Sequence, residues 1–274
     1  MNDKNKNLVL RIVTALLALP ILLYLIYLGG YPVACLFAFA AGATAYEYYS
    51  ITLGKLSVPG WAGVVGAAAM PLLPVSIPQH AGDLAFWWIV TFFVFFFAWH
   101  LIKDASKEAP TRIAHHVTGM VYGTSGMMAL AFISMRPSAG WWTFITMFCT
   151  WMNDTCAYFA GRALGRHKLY VEVSPNKTWE GFFGGMVGST VGLFVIGHWF
   201  FTELTWVDCL ILGIGSGILG PVGDLCESML KRSYGVKDSG KTLPGHGGVL
   251  DRIDALQFNA ILVFVYLQFA RGFV

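Results

Sequence analysis

Charged side chains are scarce in this 274-residue chain, 15 acidic and 18 basic, and beyond Asn153 they fall at regular spacings. Asp224, Glu227, Ser228 and Lys231 recur at intervals of three and four, which on a helix makes one polar stripe. Asp251 and Asp254 stand three apart in the first turn of another expected helix, where the helix dipole favours anions. Asn153-Asp154 lies inside a third helix, with Tyr158 and Gly161 on the face of Asp154. Two basic loops accompany these carboxylates. One runs Gly165-Arg166-His167-Lys168 and then Ser174-Pro175-Asn176-Lys177-Thr178-Trp179-Glu180-Gly181; the other is Lys237–Gly248. Hard carboxylate oxygens suit Mg²⁺. Lysines, arginines and the amides of a helix start suit phosphates. Carboxylates on three segments facing such loops point to phosphoryl or nucleotidyl transfer.

Local chemistry sharpens some of these readings. In the first loop Ser-Pro makes a turn, Thr178 is placed to cap the next helix, and Glu180 falls in its first turn. Lys177 beside the free amides then forms an anion cradle. In the second loop, glycines around His246 let the backbone approach a ligand closely. Other patterns read as packing. Gly215-x-Gly217-x-x-Gly220 has no strand before it and sits in an apolar span, so it is no dinucleotide loop. Gly184, Gly188 and Gly192 make a small-residue helix face. His115 and His116 are adjacent and point to different helix faces, which argues against a shared metal. Glu47 reads as an interfacial carboxylate that snorkels to water.

The elements that must carry these residues are set by composition. The chain is 56% hydrophobic and only 12% charged, with a mean hydropathy of +0.62. Soluble domains carry roughly 25% charged residues. Disorder is excluded by the hydrophobicity. Five cysteines in apolar stretches exclude a disulfide scaffold and read as buried hydrophobes. The uncharged run Ile12–Tyr46 is too long for one span and is broken at Gly29-Gly30-Tyr31-Pro32. The charge-free runs predict helices at about 8–28, 31–50, 60–77, 84–102, 113–134, 140–163, 179–201, 205–231 and 249–271. The expected fold is therefore an all-α polytopic membrane protein of about nine transmembrane helices. Of the 18 Lys and Arg, only Arg136 and Arg271 fall outside if the N-terminus is cytoplasmic and the C-terminus extracytoplasmic. A cleaved leader at the N-terminus is not expected, since no small-x-small site precedes a polar region. Residues 1–135 form an N-terminal scaffold of about five helices, and 136–274 a catalytic region with cytoplasmic loops 164–178 and 232–248.

From Ser228 to Asp254 the chain reads Ser-x-Leu-Lys-Arg, four residues, then Lys-Asp-x-Gly-x-x-Leu-Pro-x-His-Gly-Gly-Val-x-Asp-Arg-Ile-Asp. This resembles the signature of the phosphatidate cytidylyltransferase (CDP-diacylglycerol synthase) family at every fixed position. Asp154–Tyr158, Gly161-Arg162 and Ser174–Gly181 also resemble it, with Cys156 where Gly is usual and Asn176 where Lys is common. The resemblance implies Mg²⁺-dependent formation of CDP-diacylglycerol and pyrophosphate from CTP and phosphatidate. It also implies a homodimer in a bacterial-type inner membrane, with the active site facing the cytoplasm and no nucleic-acid partner. By carry-over, Asp224 and Asp251 hold the metal, with a monovalent cation such as K⁺ beside it and weaker roles for Asp154 and Asp254. Lys237 and Asp238 join the catalytic set. Ser228, Lys231, Arg232, His246 and Arg252 contact the substrates, and Ser174, Lys177 and Thr178 close the site from the other loop. Two other classes fit parts of the pattern, a CTP-dependent polyprenol or phytol kinase and a transporter. Transporters place polar breaks near the midplane of both halves; here polarity gathers at the inner helix ends of the C-terminal half, and no internal repeat is seen. Reporter fusions at the two ends check the topology: the N-terminal fusion is expected inside and the C-terminal one outside.

Overall fold

The computed structural model describes residues 3–136, 138–243, 245 and 247–272. Among these the backbone is helical almost throughout: α1 (Asp3–Leu28), α2 (Gly30–Thr52), α3 (Val58–Ala69), α4 (Leu73–Ser76), α5 (Ala81–Lys103), α6 (Ala109–Ile133), α7 (Ala139–Leu164), α8 (Trp179–Trp199), α9 (Trp206–Ser233) and α10 (Leu250–Phe269). The turn between α1 and α2 uses φ of 63° at Gly29 and 54° at Gly30, values that glycine adopts at little cost. One expected helix, 60–77, is interrupted. α3 stops at Ala69, a 3₁₀ turn covers Met70–Leu72, and α4 follows. Pro71 and Pro74 each remove a backbone donor there. The loop after α7 is not wholly irregular either. Strands β1 (Lys168–Tyr170) and β2 (Ser174–Thr178) pair antiparallel, Lys168 opposite Thr178 and Tyr170 opposite Ser174.

Four segments among the described residues are long and apolar enough to cross a bilayer: Val58–Ser76, Pro78–Lys103, Trp179–Trp199 and Trp206–Ser233. Between the ends of α5 the large exposed side chains are apolar, Phe86, Trp87, Phe93, Phe97 and Leu101 among them. Large exposed apolar surface of this kind belongs in lipid. The protein is an α-helical membrane protein.

The chain forms two compact units, Met1–Pro137 with Asp238–Arg252, and Ser138–Lys237 with Ile253–Val274. Residues 238–252 thus pack with the N-terminal region, whereas a division at 135/136 groups them with the C-terminal one. In the first unit α2 and α6 approach closely, because a Cβ at Gly123 would meet the Ala41 carbonyl at 2.8 Å. The Tyr49 hydroxyl donates to the His116 carbonyl at 2.6 Å. His116 stacks on Phe96 and His100, while His115 meets the Tyr48 hydroxyl, so the two neighbours have separate partners. Glu47 corrects the sequence reading. It does not snorkel to water: it is 1% exposed, and its carboxylate is bound by the loop 239–250.

In the second unit glycines set the helix spacing. Gly184 and Gly188 of α8 face Ala160 and Cys156 of α7, and Gly213 and Gly217 of α9 face the Thr190 and Met186 backbone of α8. The Gly215-x-Gly217-x-x-Gly220 run is a packing edge. At the start of α9, Thr205 and Asp208 form a capping box, and buried Asp208 also accepts the Tyr266 hydroxyl. All five cysteines are free; Cys149 and Cys209 are buried as expected, whereas Cys35 lies on the exposed surface. A Cβ at Gly217 would stand 2.5 Å from the Met186 Cα, which is backbone and cannot rotate away. Gly217→Leu is therefore expected to destabilise the protein by about 1–3 kcal/mol, read as a lower melting temperature in detergent.

Candidate active site

The hairpin is tied to the start of α8 by its own residues. The Trp179 amide donates to the His167 carbonyl at 2.9 Å. Glu180 reaches back to the start of the hairpin to accept from the Arg166 amide at 3.1 Å, and pairs with the His167 ring at 2.6 Å. Thr178 caps the helix, its Oγ1 accepting from the Gly181 amide at 3.1 Å. Gly161 and Gly165 at the end of α7 leave the room that Thr178 occupies. These contacts fix the position of Lys177, one residue before the cap.

Lys177 points at α9, where its Nζ lies 2.5 Å from the Asp224 carboxylate. Around this pair opens a cavity of about 500 Å³. Its polar lining is Asn153, Asp154 and Tyr158 from α7, Ser174, Asn176, Lys177 and Thr178 from β2, and Asp224 from α9. Its apolar lining includes Ala157, Leu169, Phe182 and Pro221. An apolar chamber with a few converging polar groups has the character of a ligand site, and its volume lies in the range that holds small molecules. Pro221, about one turn before Asp224, lacks an amide hydrogen, so the Gly217 carbonyl loses its α-helical partner.

Along α9 the polar stripe is internally paired. Ser228 Oγ donates to Asp224 Oδ1 at 3.4 Å, and Lys231 Nζ lies 2.5 Å from Glu227. Glu227 is 1% exposed. Asp224, Glu227 and Asp254 each offer one carboxylate oxygen within 4.8 Å of the others. Like charges so close in a low-dielectric setting repel strongly unless cations sit among them. Lys177 and Lys231 supply two positive charges, and three hard oxygens are also a donor set for a divalent cation. Glu227 was visible in the sequence as a stripe residue but carried no site role; its spacing of three from Asp224 is the signal that finds it.

The family profile of the cytidylyltransferases matches residues 9–270. The chain belongs to the cytidylyltransferase family. It is 34% identical over 269 residues to a phosphatidate cytidylyltransferase of Staphylococcus haemolyticus, covering 94% of this chain and 98% of that one. Proteins of the same name from Staphylococcus epidermidis and Staphylococcus aureus are 33% and 31% identical, with the same coverage.

The remaining residues of this cytidylyltransferase that the sequence singles out lie as follows. Asp154, Ser174, Lys177, Thr178 and Asp224 line the cavity, and Asp254 meets Asp224. Lys231 is buried against Glu227. Arg232 is exposed and donates to the Val236 carbonyl at 3.2 Å. Lys237 is exposed at the end of the second unit's long segment. Asp238, Asp251 and Arg252 belong to the first unit. There the Asp251 carboxylate accepts from the Ser239 amide at 3.0 Å and the Gly248 amide at 2.9 Å. His246 lies outside the described residues. Lys177→Ala is expected to leave expression and the folded state normal while activity falls about tenfold or more, equivalent to about 1.4 kcal/mol in the transition state. Turnover by the purified variant checks this.

Proposed function

We propose that this chain transfers the cytidylyl group of CTP to phosphatidate, giving CDP-diacylglycerol and pyrophosphate for phospholipid synthesis. The observation that carries the reading is the cavity in which Lys177, Asp154 and Asp224 converge beside an apolar wall. Family membership and the names of the relatives support the substrate pair. One reactant is a lipid phosphate and the other a nucleotide triphosphate, so the site must accept apolar chains and several negative charges together. The enzyme is proposed to span a bacterial-type inner membrane about nine times, N-terminus inside, with the active site open to the cytoplasm, and to work as a homodimer; the bias of Lys and Arg supports the orientation.

The nucleophile is the phosphate monoester of phosphatidate. Its second pKa is about 6, so at pH 7 it is already largely a dianion. No protein base is needed for its oxygen to attack the α-phosphorus of CTP. The new bond is phosphatidate oxygen to α-phosphorus; the bond broken is α-phosphorus to the bridging oxygen, and pyrophosphate leaves with the electron pair. The harder task is to bring two polyanions together. Lys177, Lys231, Arg232, Lys237 and Arg252 supply positive charge, with Ser174, Thr178, Ser228 and His246 as further contacts and Asp238 completing the loop. Mg²⁺ is the proposed cofactor, with a monovalent cation such as K⁺ beside it; Asp224 and Asp251 are its first ligands, and Asp154 and Asp254 weaker ones. The close carboxylate oxygens of Asp224, Glu227 and Asp254 fit such an ion. Bound there, it would neutralise phosphate charge and polarise the reacting phosphorus.

Purified protein given radiolabelled CTP and phosphatidate is expected to form a lipid-soluble cytidine product. A labelled lipid phosphate without cytidine would identify a kinase instead. The rate should rise with pH through about 6 as the monoester loses its second proton, then level off with no carboxylate limb above it. Asp224→Asn and Asp251→Asn are each expected to lower turnover by about a hundredfold or more in folded protein, because an amide is a weaker Mg²⁺ ligand.

A further inference from the structure

Glu47, in α2, is an ionisable residue that the reaction above does not use. It is 1% exposed, and it accepts four hydrogen bonds from one loop. Thr242 Oγ1 and the Val249 amide donate to Oε1 at 2.6 and 2.9 Å. Ser239 Oγ and the Leu250 amide donate to Oε2, each at 2.9 Å. All four donors are neutral. A carboxylate taken from water costs several kcal/mol unless its lone pairs are met; four donors are what its two oxygens can accept.

The glycines of the loop are shaped to this anion. A Cβ at Gly240 would stand 2.7 Å from Glu47 Oε1, and one at Gly248 would strike Oε2 and Ser239 Oγ. The donors come from both ends of the segment 239–250, so a single side chain closes it. Ser239 carries the link onward. Its hydroxyl donates to Glu47 and accepts from the Asp251 amide at 3.3 Å, while its own amide donates to the Asp251 carboxylate at 3.0 and 3.2 Å.

We propose that Glu47 is a positioning residue for the cytidylyltransferase reaction: it ties Ser239 and Thr242 to Val249 and Leu250 and, through Ser239, orients the Asp251 carboxylate. The kinetic part rests on the function proposed above; the structural part does not. A residue that only stabilised the fold would, once folded, leave turnover intact. A positioning residue leaves a folded enzyme with a mobile loop and a low kcat.

The test uses the full chain in dodecyl maltoside, as wild type, Glu47→Gln, Thr242→Val and the double variant. Glu47→Gln keeps the size but turns an NH₂ toward donors. It is expected to lower kcat about tenfold or more with KM for phosphatidate within about twofold. Trypsin should cut after Lys241 about fivefold faster, because cleavage follows the population of the opened loop. Thr242→Val should fall between wild type and Glu47→Gln in both readouts, and the double variant should be little worse than Glu47→Gln alone, since the two residues act through one contact. A folded Glu47→Gln with wild-type kcat and cleavage overturns the proposal. Should that variant not fold, Thr242→Val decides: wild-type cleavage and kcat overturn it, and faster cleavage with a lower kcat supports it. If the wild type makes no CDP-diacylglycerol, the function is refuted, and the cleavage rates alone still decide whether Glu47 holds the loop.

Discussion

An ionised carboxylate removed from water needs several donors or a cation within hydrogen-bonding distance, and no apolar contact substitutes for them. Both units are arranged around that requirement. In the first, Glu47 gathers two hydroxyls and two amides from one loop. In the second, Lys177 crosses from the hairpin to Asp224, and Lys231 turns back along its own helix to Glu227. Asp208 is met by Thr205, Tyr266 and Arg271. The partnerships differ in kind. Glu47 is matched by neutral donors alone, which fixes conformation. Asp224 is matched by an ammonium on a separate element, an arrangement that phosphate groups and a metal ion can rearrange.

Glycine does the complementary work, and it does two different jobs. In α8 and α9 the absence of a side chain lets helix backbones meet, so that α7 can present Asn153 and Asp154 to the cavity while α9 presents Asp224. In the loop, Gly240 and Gly248 instead leave room for a carboxylate from another helix. The glycines around His246 read from sequence as space for a ligand; for Gly248 the occupant is Glu47.

Most helices were legible because hydrocarbon demands long uncharged runs, and such runs are easy to see. The break in the third apolar segment was written in Pro71 and Pro74 but hidden by its overall hydropathy. The hairpin was not legible. Its strands are three and five residues long, and Ser-Pro-Asn-Lys-Thr shows no alternation of apolar and polar side chains. At the candidate site, Asp154, Asp224 and Asp254 stand out in the sequence because charge in an apolar helix is conspicuous, and Lys177 stands out because Thr178 beside it carries a cap signature. Glu227 shows in the sequence only as a stripe member, since a stripe does not say which of its residues meets a carboxylate from another helix. Glu47 was misread for a different reason: its partners lie 192 to 203 residues further along the chain, and nothing local announces them.

That separation has a bearing on how the chain is made. A ribosome adding about 5–20 residues per second needs about 10–40 s to travel the 192 residues from Glu47 to Ser239. Through that interval α2 has been synthesised and its carboxylate has none of its four donors, so only water or a proton can satisfy it. The N-terminal half therefore enters the bilayer carrying an unfinished contact. The segment that finishes it is the one bearing Asp251, so the contact closes only after nearly the whole polypeptide has emerged. A truncated product lacking this segment leaves Glu47 without any of the four donors that the full chain gives it.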